Sequence, residues 1–312
     1  MTKLIIQIPC YNESENLLTT LDALPKDIKG IDEIVVLVIN DGSTDNSSEI
    51  AESWGAKVVN IKTNKGLANA FRTGLQEALQ MGADIVVNTD ADNQYCADDI
   101  EKLIEPILSE KADIAVGARD IANIKDFSLL KKFLQKSGSA ILRLLSKTSV
   151  EDAPSGFRAF SKQAVLSLNV FDNYTYTMET LIQAGAKGLR VTTVPIRVNP
   201  QTRKSRLVKN IFDYIFKSAK TIIRMFIVYR PFRFFALFSC LSSIIGFGLV
   251  CRFLYYYITG NGNGHVQSLI FASIFLISAV LLLIIAILGD LLSINRKLLE
   301  DIQTRVRKLE LK

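Results

Sequence analysis

The sequence predicts an α/β fold: a cytosolic domain built on a mostly parallel sheet, followed by two transmembrane helices. Three observations predict it. Over residues 1–120, short apolar runs alternate with amphipathic segments. Polar clusters follow the first, second and fourth of those runs, at strand ends where ligands collect in such sheets. Charge then disappears from two long stretches near the C-terminus.

The strand candidates are 4–8, 34–39, 57–61, 84–88 and 113–116, all rich in Val and Ile. Helical periodicity lies near 14–24, 45–54, 67–81 and 97–110. Asn12 followed by Glu15 has the spacing of a helix start. The three polar clusters are Pro9-Cys10-Tyr11-Asn12-Glu13, Asn40-Asp41-Gly42-Ser43 and Thr89-Asp90-Ala91-Asp92-Asn93-Gln94.

Two basic amphipathic segments follow. In one, Leu130, Phe133, Leu134 and Ile141 accompany Lys131, Lys132, Lys136 and Arg143. In the other, Ile211, Ile215, Ile222 and Phe226 accompany Lys209, Lys217, Lys220 and Arg224. Such faces suit a membrane interface or a domain core.

Residues 234–251 form an 18-residue stretch without charge, and 253–289 a 37-residue one. A turn signal, Thr259-Gly260-Asn261-Gly262-Asn263-Gly264-His265, interrupts the second. The expected spans are about 232–257 and 267–289; at about 1.5 Å per residue each crosses a core about 30 Å thick. The competing reading is two buried core helices, but those rarely run so long without a polar face. Lys217, Lys220, Arg224, Arg230 and Arg233 precede the first span. Arg296, Lys297, Arg305, Arg307 and Lys308 follow the second, and the loop has neither Lys nor Arg. The positive-inside rule then places the N-terminal domain and both termini in the cytoplasm. From Ile294 onward, Leu298, Ile302, Val306 and Leu309 mark an amphipathic tail that lies on the membrane or packs against another copy.

Several chemistries are excluded. The chain of 312 residues holds one histidine, His265, so no histidine metal cluster forms. Cys10, Cys96, Cys240 and Cys251 lack CxxC spacing and read neither as a zinc site nor as a disulfide framework. The N-terminus does not read as a signal peptide. There is no P-loop, and Gly260-x-Gly262-x-Gly264 lacks the strand–helix context of a dinucleotide site. A net charge of +6 is mild, and no nucleic-acid partner is expected.

The third polar cluster carries the most chemistry. If the chain stays extended, alternation puts Asp90, Asp92 and Gln94 on one side. Two carboxylates and an amide oxygen suit a hard cation, Mg²⁺ or Mn²⁺, which in turn binds a diphosphate. Asp-x-Asp alone is also an ordinary polar turn.

Taken in order, the motifs resemble the family 2 glycosyltransferases of the GT-A (Rossmann-like) fold, and within them the polyprenyl-phosphate hexosyltransferases. The residues that carry the resemblance are 8–13, 40–45, Asn64-Lys65-Gly66 with Ala70 and Gly74, and Asp90-Ala91-Asp92-Asn93-Gln94. Gly117-Ala118-Arg119, Asp152-Ala153-Pro154-Ser155-Gly156-Phe157-Arg158, Val194-Pro195-Ile196 and Arg203-Lys204-Ser205-Arg206 continue it. Asn40, Tyr95 and Lys131-Lys132 depart from the pattern, where Asp, His and Arg are common.

The resemblance implies that Pro9, Tyr11, Glu13, Asp41 and Asp90 bind a nucleotide sugar. It implies that Asp90, Asp92 and Gln94 hold Mg²⁺ or Mn²⁺, and that Asp92 and Arg206 are catalytic, Arg206 neutralising the leaving diphosphate. The acceptor would be polyprenyl phosphate, which is mostly dianionic at neutral pH and needs no histidine base. Arg119, Lys132 and Ser137 are the expected acceptor-phosphate residues. The implied organisation is a GT-A glycosyltransferase domain over 1–206 and an interfacial helix over 207–231. Two transmembrane helices would follow over 232–290 and a cytosolic amphipathic helix over 291–312. Partners would be the donor, the lipid acceptor, the bilayer and a second copy through the membrane or C-terminal helices. The implied reaction is inverting transfer of a single hexose. A processive polysaccharide synthase is disfavoured because Trp54 is the only tryptophan and no QxxRW is present. A non-enzymatic nucleotide-sugar sensor is the remaining alternative.

Overall fold

The structure, a computed structural model, describes residues 1–120, 139, 143, 148, 150–170, 176–200, 216, 219–220, 223–224, 226–260 and 262–311. They form two units. One joins Met1–Ile222 with Gln303–Lys312, and the other is Ile223–Ile302.

The first unit is built on seven strands: β1 (Lys3–Cys10), β2 (Glu33–Asn40), β3 (Lys57–Asn60), β4 (Ile85–Asn88), β5 (Ile114–Arg119), β6 (Arg158–Ser161) and β7 (Val191–Ile196). They lie in the order β3-β2-β1-β4-β6-β5-β7. β6 is antiparallel to β4 and β5; the other neighbours are parallel. Helices α1 (Leu17–Asp22), α2 (Ser47–Trp54), α3 (Leu67–Gln80) and α4 (Ile100–Leu108) alternate with the first five strands, and α5 (Lys162–Ser167) and α6 (Tyr176–Lys187) follow β6. All five expected strands and four expected helices are present, so the mostly parallel α/β fold stands. β6, α5, α6 and β7 fall where the sequence reading names no element.

Alternation along β1 sends Leu4, Ile6 and Ile8 into a core shared with Leu17 and Leu21 of α1 and Leu103, Ile104 and Ile107 of α4. Gln7 projects from the other face toward α3, which lies so close that a Cβ on Gly74 would sit 2.5 Å from Gln7 Oε1 and 3.1 Å from Ile39 Cγ1. Both faces of the sheet are therefore covered, which is why β1 and β2 read as nearly unbroken apolar runs.

One local expectation is corrected. Helix α1 starts at Leu17, not near Asn12. Asn12 has φ 53°, and its Oδ1 accepts the N–H of Thr44 at 2.8 Å. The side chain that would have capped its own helix is spent on the neighbouring loop.

The second unit carries α7 (Pro231–Ile258) and most of α8 (Val266–Glu310). Both are long and apolar enough to cross a membrane. Their large apolar side chains, such as Phe247 and Ile277, are exposed, unlike those of a soluble core helix. The two helices meet through small residues. Ser239 Oγ donates to the carbonyl of Ala279 at 2.7 Å and Ser242 Oγ to that of Phe275 at 2.8 Å. Ala272, Ala279 and Ala286 are buried at seven-residue spacing, a pattern typical of helices packed without a hydrophobic driving force. The amphipathic tail expected from Ile294 is not a separate helix; it continues α8 without a break. Its last turns belong to the first unit, where Arg307 Nη1 donates to the carbonyls of Leu166 and Leu168 at the end of α5. The interfacial segment expected over 207–231 lies mostly outside the described residues, as does most of 130–147.

Gly74→Ala tests the α3–sheet contact. Helix propensity favours Ala by about 1 kcal/mol, but overpacking a close-fitted core costs about 1–3 kcal/mol. Gln7 cannot swing away because its amide is held by Asn88 at 2.8 Å. The variant should unfold at a lower temperature than wild type; an unchanged or raised Tm would show that the sheet yields.

Candidate active site

β1 pairs with β2 through Cys10 but with β4 only through Gln7. Beyond that point β1 and β4 part, with β2 and β3 on one side and β4 on the other. This is the switch point at which open α/β sheets bind ligands. The expected site residues follow one another along this edge.

Pro9 is buried in β1 opposite Ile39, past the last residue paired with β4. Tyr11 is 41% exposed at the strand end. Glu13 is buried, its N–H donating to Ser47 Oγ at 2.9 Å. The loop after β1 is stitched to the loop after β2: the N–H groups of Asn12 and Ser14 donate to Ser43 Oγ and Asp45 Oδ2 at 3.0 and 3.1 Å. Asp41 is also buried. Its two carboxylate oxygens accept the N–H groups of Lys65 and Gly66 at 2.9 and 2.8 Å. Burial raises its pKa, and those two amides oppose the rise. Gly42, at φ +73°, passes so near Asn64 that a Cβ would lie 2.7 Å from its backbone nitrogen. Asn40, one of the departures, donates to Asn60 Oδ1 at 2.7 Å, a bond that an aspartate could not make.

Asp90 and Asp92 follow β4. The extended course that would align them with Gln94 is not adopted. Asn93 has φ 53°, and the Gln94 N–H turns back to Asp92 Oδ1 at 3.2 Å, so the segment is an Asx-type turn. Asn199, just beyond β7, braces it: its side chain donates to the carbonyl of Asn93, and its N–H to that of Gln94, both at 2.9 Å.

Beneath Asp90 lies a buried polar network that the sequence reading did not single out. Asn88 Nδ2 donates to the Gly156 carbonyl at 2.8 Å and to Tyr176 Oη at 2.9 Å, while Asn88 Oδ1 accepts from Gln7. Gly156 has no room for a side chain: a Cβ would lie 3.1 and 3.3 Å from the Asp90 carboxylate oxygens. Its N–H donates to Tyr95 Oη at 3.1 Å. Burial, with Asp90 next, pushes the Tyr95 phenol up to about 12, so it keeps its proton. The motif around 152–158 pointed to Gly156; Asn88 and Tyr176 gave no signal beyond being ordinary polar residues.

Arg119 ends β5 on the same edge. It is not open to solvent: Nε and Nη2 grip Asp152 Oδ2 and Oδ1 at 2.7 and 3.0 Å, and the two side chains are 11% and 1% exposed. Arg158 is wholly buried and donates to the carbonyls of Ala153, Ser155 and Thr177 and to Thr180 Oγ1. Burial lowers its pKa to about 10, which still leaves it charged at neutral pH. Lys132, Ser137 and Arg206 lie outside the described residues.

Among the described residues no three His, Cys, Asp or Glu side chains form a ready-made metal cluster. The oxygen donors of Asp90 and Asp92, on a turn floored by Gly156, nevertheless fit a hard divalent ion that takes its other ligands from a diphosphate and water.

The model of "Glycosyl transferase family 2" matches residues 5–168, and the chain belongs to that family. Within it, the chain groups with the polyprenyl-phosphate glycosyltransferases. It is 36% identical over 213 residues to UDP-N-acetylglucosamine--dolichyl-phosphate N-acetylglucosaminyltransferase of Methanococcus voltae, covering 61% of this chain and 83% of that one. It is 31% identical to dolichol-phosphate mannosyltransferase of Pyrococcus furiosus, covering 68% and 62%. Glycosyltransferase AglJ of Haloferax volcanii is 27% identical over 96% of both chains. Among solved structures, glucosyl-3-phosphoglycerate synthase of Mycobacterium tuberculosis with Mn²⁺, UDP and phosphoglyceric acid shares the fold, with a TM-score of 0.55 at 18% identity over 72% of this chain and 78% of that one.

The Arg119–Asp152 pair gives the second prediction. Removing one member of a buried pair strands the other and costs about 3–5 kcal/mol. Arg119→Ala should lower the unfolding free energy by that order in chemical denaturation. A loss under about 1 kcal/mol would mean that water or another cation readily replaces the guanidinium.

Proposed function

We propose that the protein transfers a single hexose from a nucleotide sugar, a UDP- or GDP-sugar, to polyprenyl phosphate at the cytoplasmic membrane face, with inversion. The observation that carries this reading is a diphosphate-type carboxylate turn at the parting of β1 and β4, on a chain that also bears two helices apolar enough to cross a membrane. The names of the relatives, which act on dolichyl and dolichol phosphate, agree with it.

Pro9, Tyr11, Glu13 and Asp41 hold the base and ribose. Asp41 has lone pairs left after its two backbone bonds, so it can still accept an N–H from a base. Asp90 and Asp92, with Gln94, would hold Mg²⁺ or Mn²⁺, and the ion would supply positive charge to stabilise the leaving diphosphate. Arg206 adds a second cationic contact to that group. Arg119, Lys132 and Ser137 orient the acceptor phosphate, Arg119 doing so while clamped by Asp152. One phosphate oxygen attacks the anomeric carbon from the face opposite the leaving diphosphate. The new C–O bond forms as the bond to the diphosphate breaks, and no proton need be removed, because the phosphate is already ionised. The domain limits at about 206, 231 and 290 are part of this reading.

The direct test incubates membranes containing the full chain with labelled nucleotide sugars and polyprenyl phosphate, followed by lipid extraction. Label should enter the lipid phase with Mg²⁺ or Mn²⁺. It should stay in water with excess EDTA and with Asp92→Asn, which deletes a carboxylate ligand. Wild-type transfer by Asp92→Asn in EDTA would remove the metal from the mechanism.

Topology supplies a separate check. The Lys/Arg asymmetry places Asn263 outside and both termini inside. A cysteine at Asn263, in a chain freed of native cysteines, should react with an impermeant thiol reagent in intact cells. Reaction of a terminal cysteine instead would reverse the orientation.

A further inference from the structure

The Gly156 peptide is held at both polar ends by side chains that flank the carboxylate turn. Asn88, two residues before Asp90, takes its carbonyl, and Tyr95, three residues after Asp92, takes its N–H. The Tyr95 ring is buried and stacked on Phe157 at 5.0 Å with planes 10° apart. Its backbone is pinned by the bridge to Val198. The phenol therefore has little freedom. Asp90, Arg119, Arg158 and Asp152 act on it electrostatically. Asp90 lies directly over the same Gly156, both its oxygens within 3.3 Å of where a Cβ would stand.

We propose that Tyr95 is a positioning residue for the metal site: by accepting the Gly156 N–H it fixes the glycine that floors the Asp90 carboxylate, and so holds that carboxylate in the orientation that binds the divalent ion. This rests on the reading that Asp90 and Asp92 bind the metal. Partners of this kind fix ligand orientation, and their loss typically weakens metal affinity about 10–100-fold. Asn88 holds the carbonyl of that glycine and Tyr95 its N–H. Tyr176 touches the same glycine, but it accepts from Asn88 and stacks on Phe71 at 3.8 Å, so its hydroxyl is committed to the core.

The experiment titrates Mn²⁺ alone into the full-length protein in detergent and follows the free-ion signal by electron paramagnetic resonance. Wild type, Asp92→Asn, Tyr95→Phe and Tyr176→Phe are compared, with thermal unfolding recorded for each. Tyr95→Phe should weaken Mn²⁺ binding about tenfold or more, whereas Tyr176→Phe should lower the Tm with little change in Mn²⁺ affinity. A folded Tyr95→Phe that binds Mn²⁺ like wild type overturns the proposal. Wild-type affinity in Asp92→Asn overturns instead the metal reading beneath it. Should Tyr95→Phe not fold, 3-fluorotyrosine placed at position 95 decides. Its fluorine resonance should move on saturation with diamagnetic Mg²⁺ in the wild-type background and stay fixed in Asp90→Asn. A resonance indifferent to Mg²⁺ in both backgrounds overturns the proposal.

Discussion

The site depends on one buried amide. Asn88, the last residue of β4, is completely shielded from solvent, and its side chain joins four parts of the fold. It accepts from Gln7 of β1, and it donates to the loop before β6 and to the first residue of α6. No apolar residue of that size could replace it without taking the acceptor from the buried Gln7 amide in a low-dielectric interior, where unpaired polar groups cost most. Because Asn88 fixes where β4 ends, it fixes where Asp90 begins. The carboxylate turn is thus an extension of the core, braced beyond by Asn199.

Charge is distributed by the same logic. Arg158 carries its charge among three carbonyls and a hydroxyl, with no carboxylate among the described residues in direct contact. It gathers the loop over 153–155, and so leaves Asp152 to Arg119. The Asp41 side of the site, by contrast, is held by backbone amides on Asp41 and by the serine stitches between the loops after β1 and β2. Rigidity on one side comes from peptide hydrogen bonds and on the other from guanidinium groups.

Much of this was legible in the residues. The first five strands are apolar runs bounded by polar clusters, and buried parallel strands have that signature. The later elements were not, because their burial is not apolar. Helix α6 buries Thr177, Glu179, Thr180 and Gln183 alongside Leu181 and Ile182, so no amphipathic period marks it. β6 is only four residues long. The Asp-x-Asp-x-Gln spacing was visible, but not the left-handed Asn93 that turns it, since asparagine is at home in extended and left-handed backbone alike. Asn12 misled for a related reason: a short polar side chain can serve its own helix or a neighbouring loop, and only the tertiary arrangement chooses.

The strand order also sets a timetable for synthesis. β6 is inserted between β4 and β5, so the inner edge of β4 stays unpaired until residues 158–161 have been made, long after β5 at 114–119. The three-stranded half with β1 at its edge can assemble early from near neighbours, whereas the half that carries Gly156 and Arg119 must await a distant segment and bear the loop-closure entropy. Completion comes later still. The first unit includes Gln303–Lys312, and Arg307 reaches the end of α5 only after both apolar helices have left the ribosome. Folding of the first unit is therefore discontinuous in time: Arg307 joins it only from chain that emerges after the two apolar helices, so release of those helices and formation of this contact belong to one kinetic sequence.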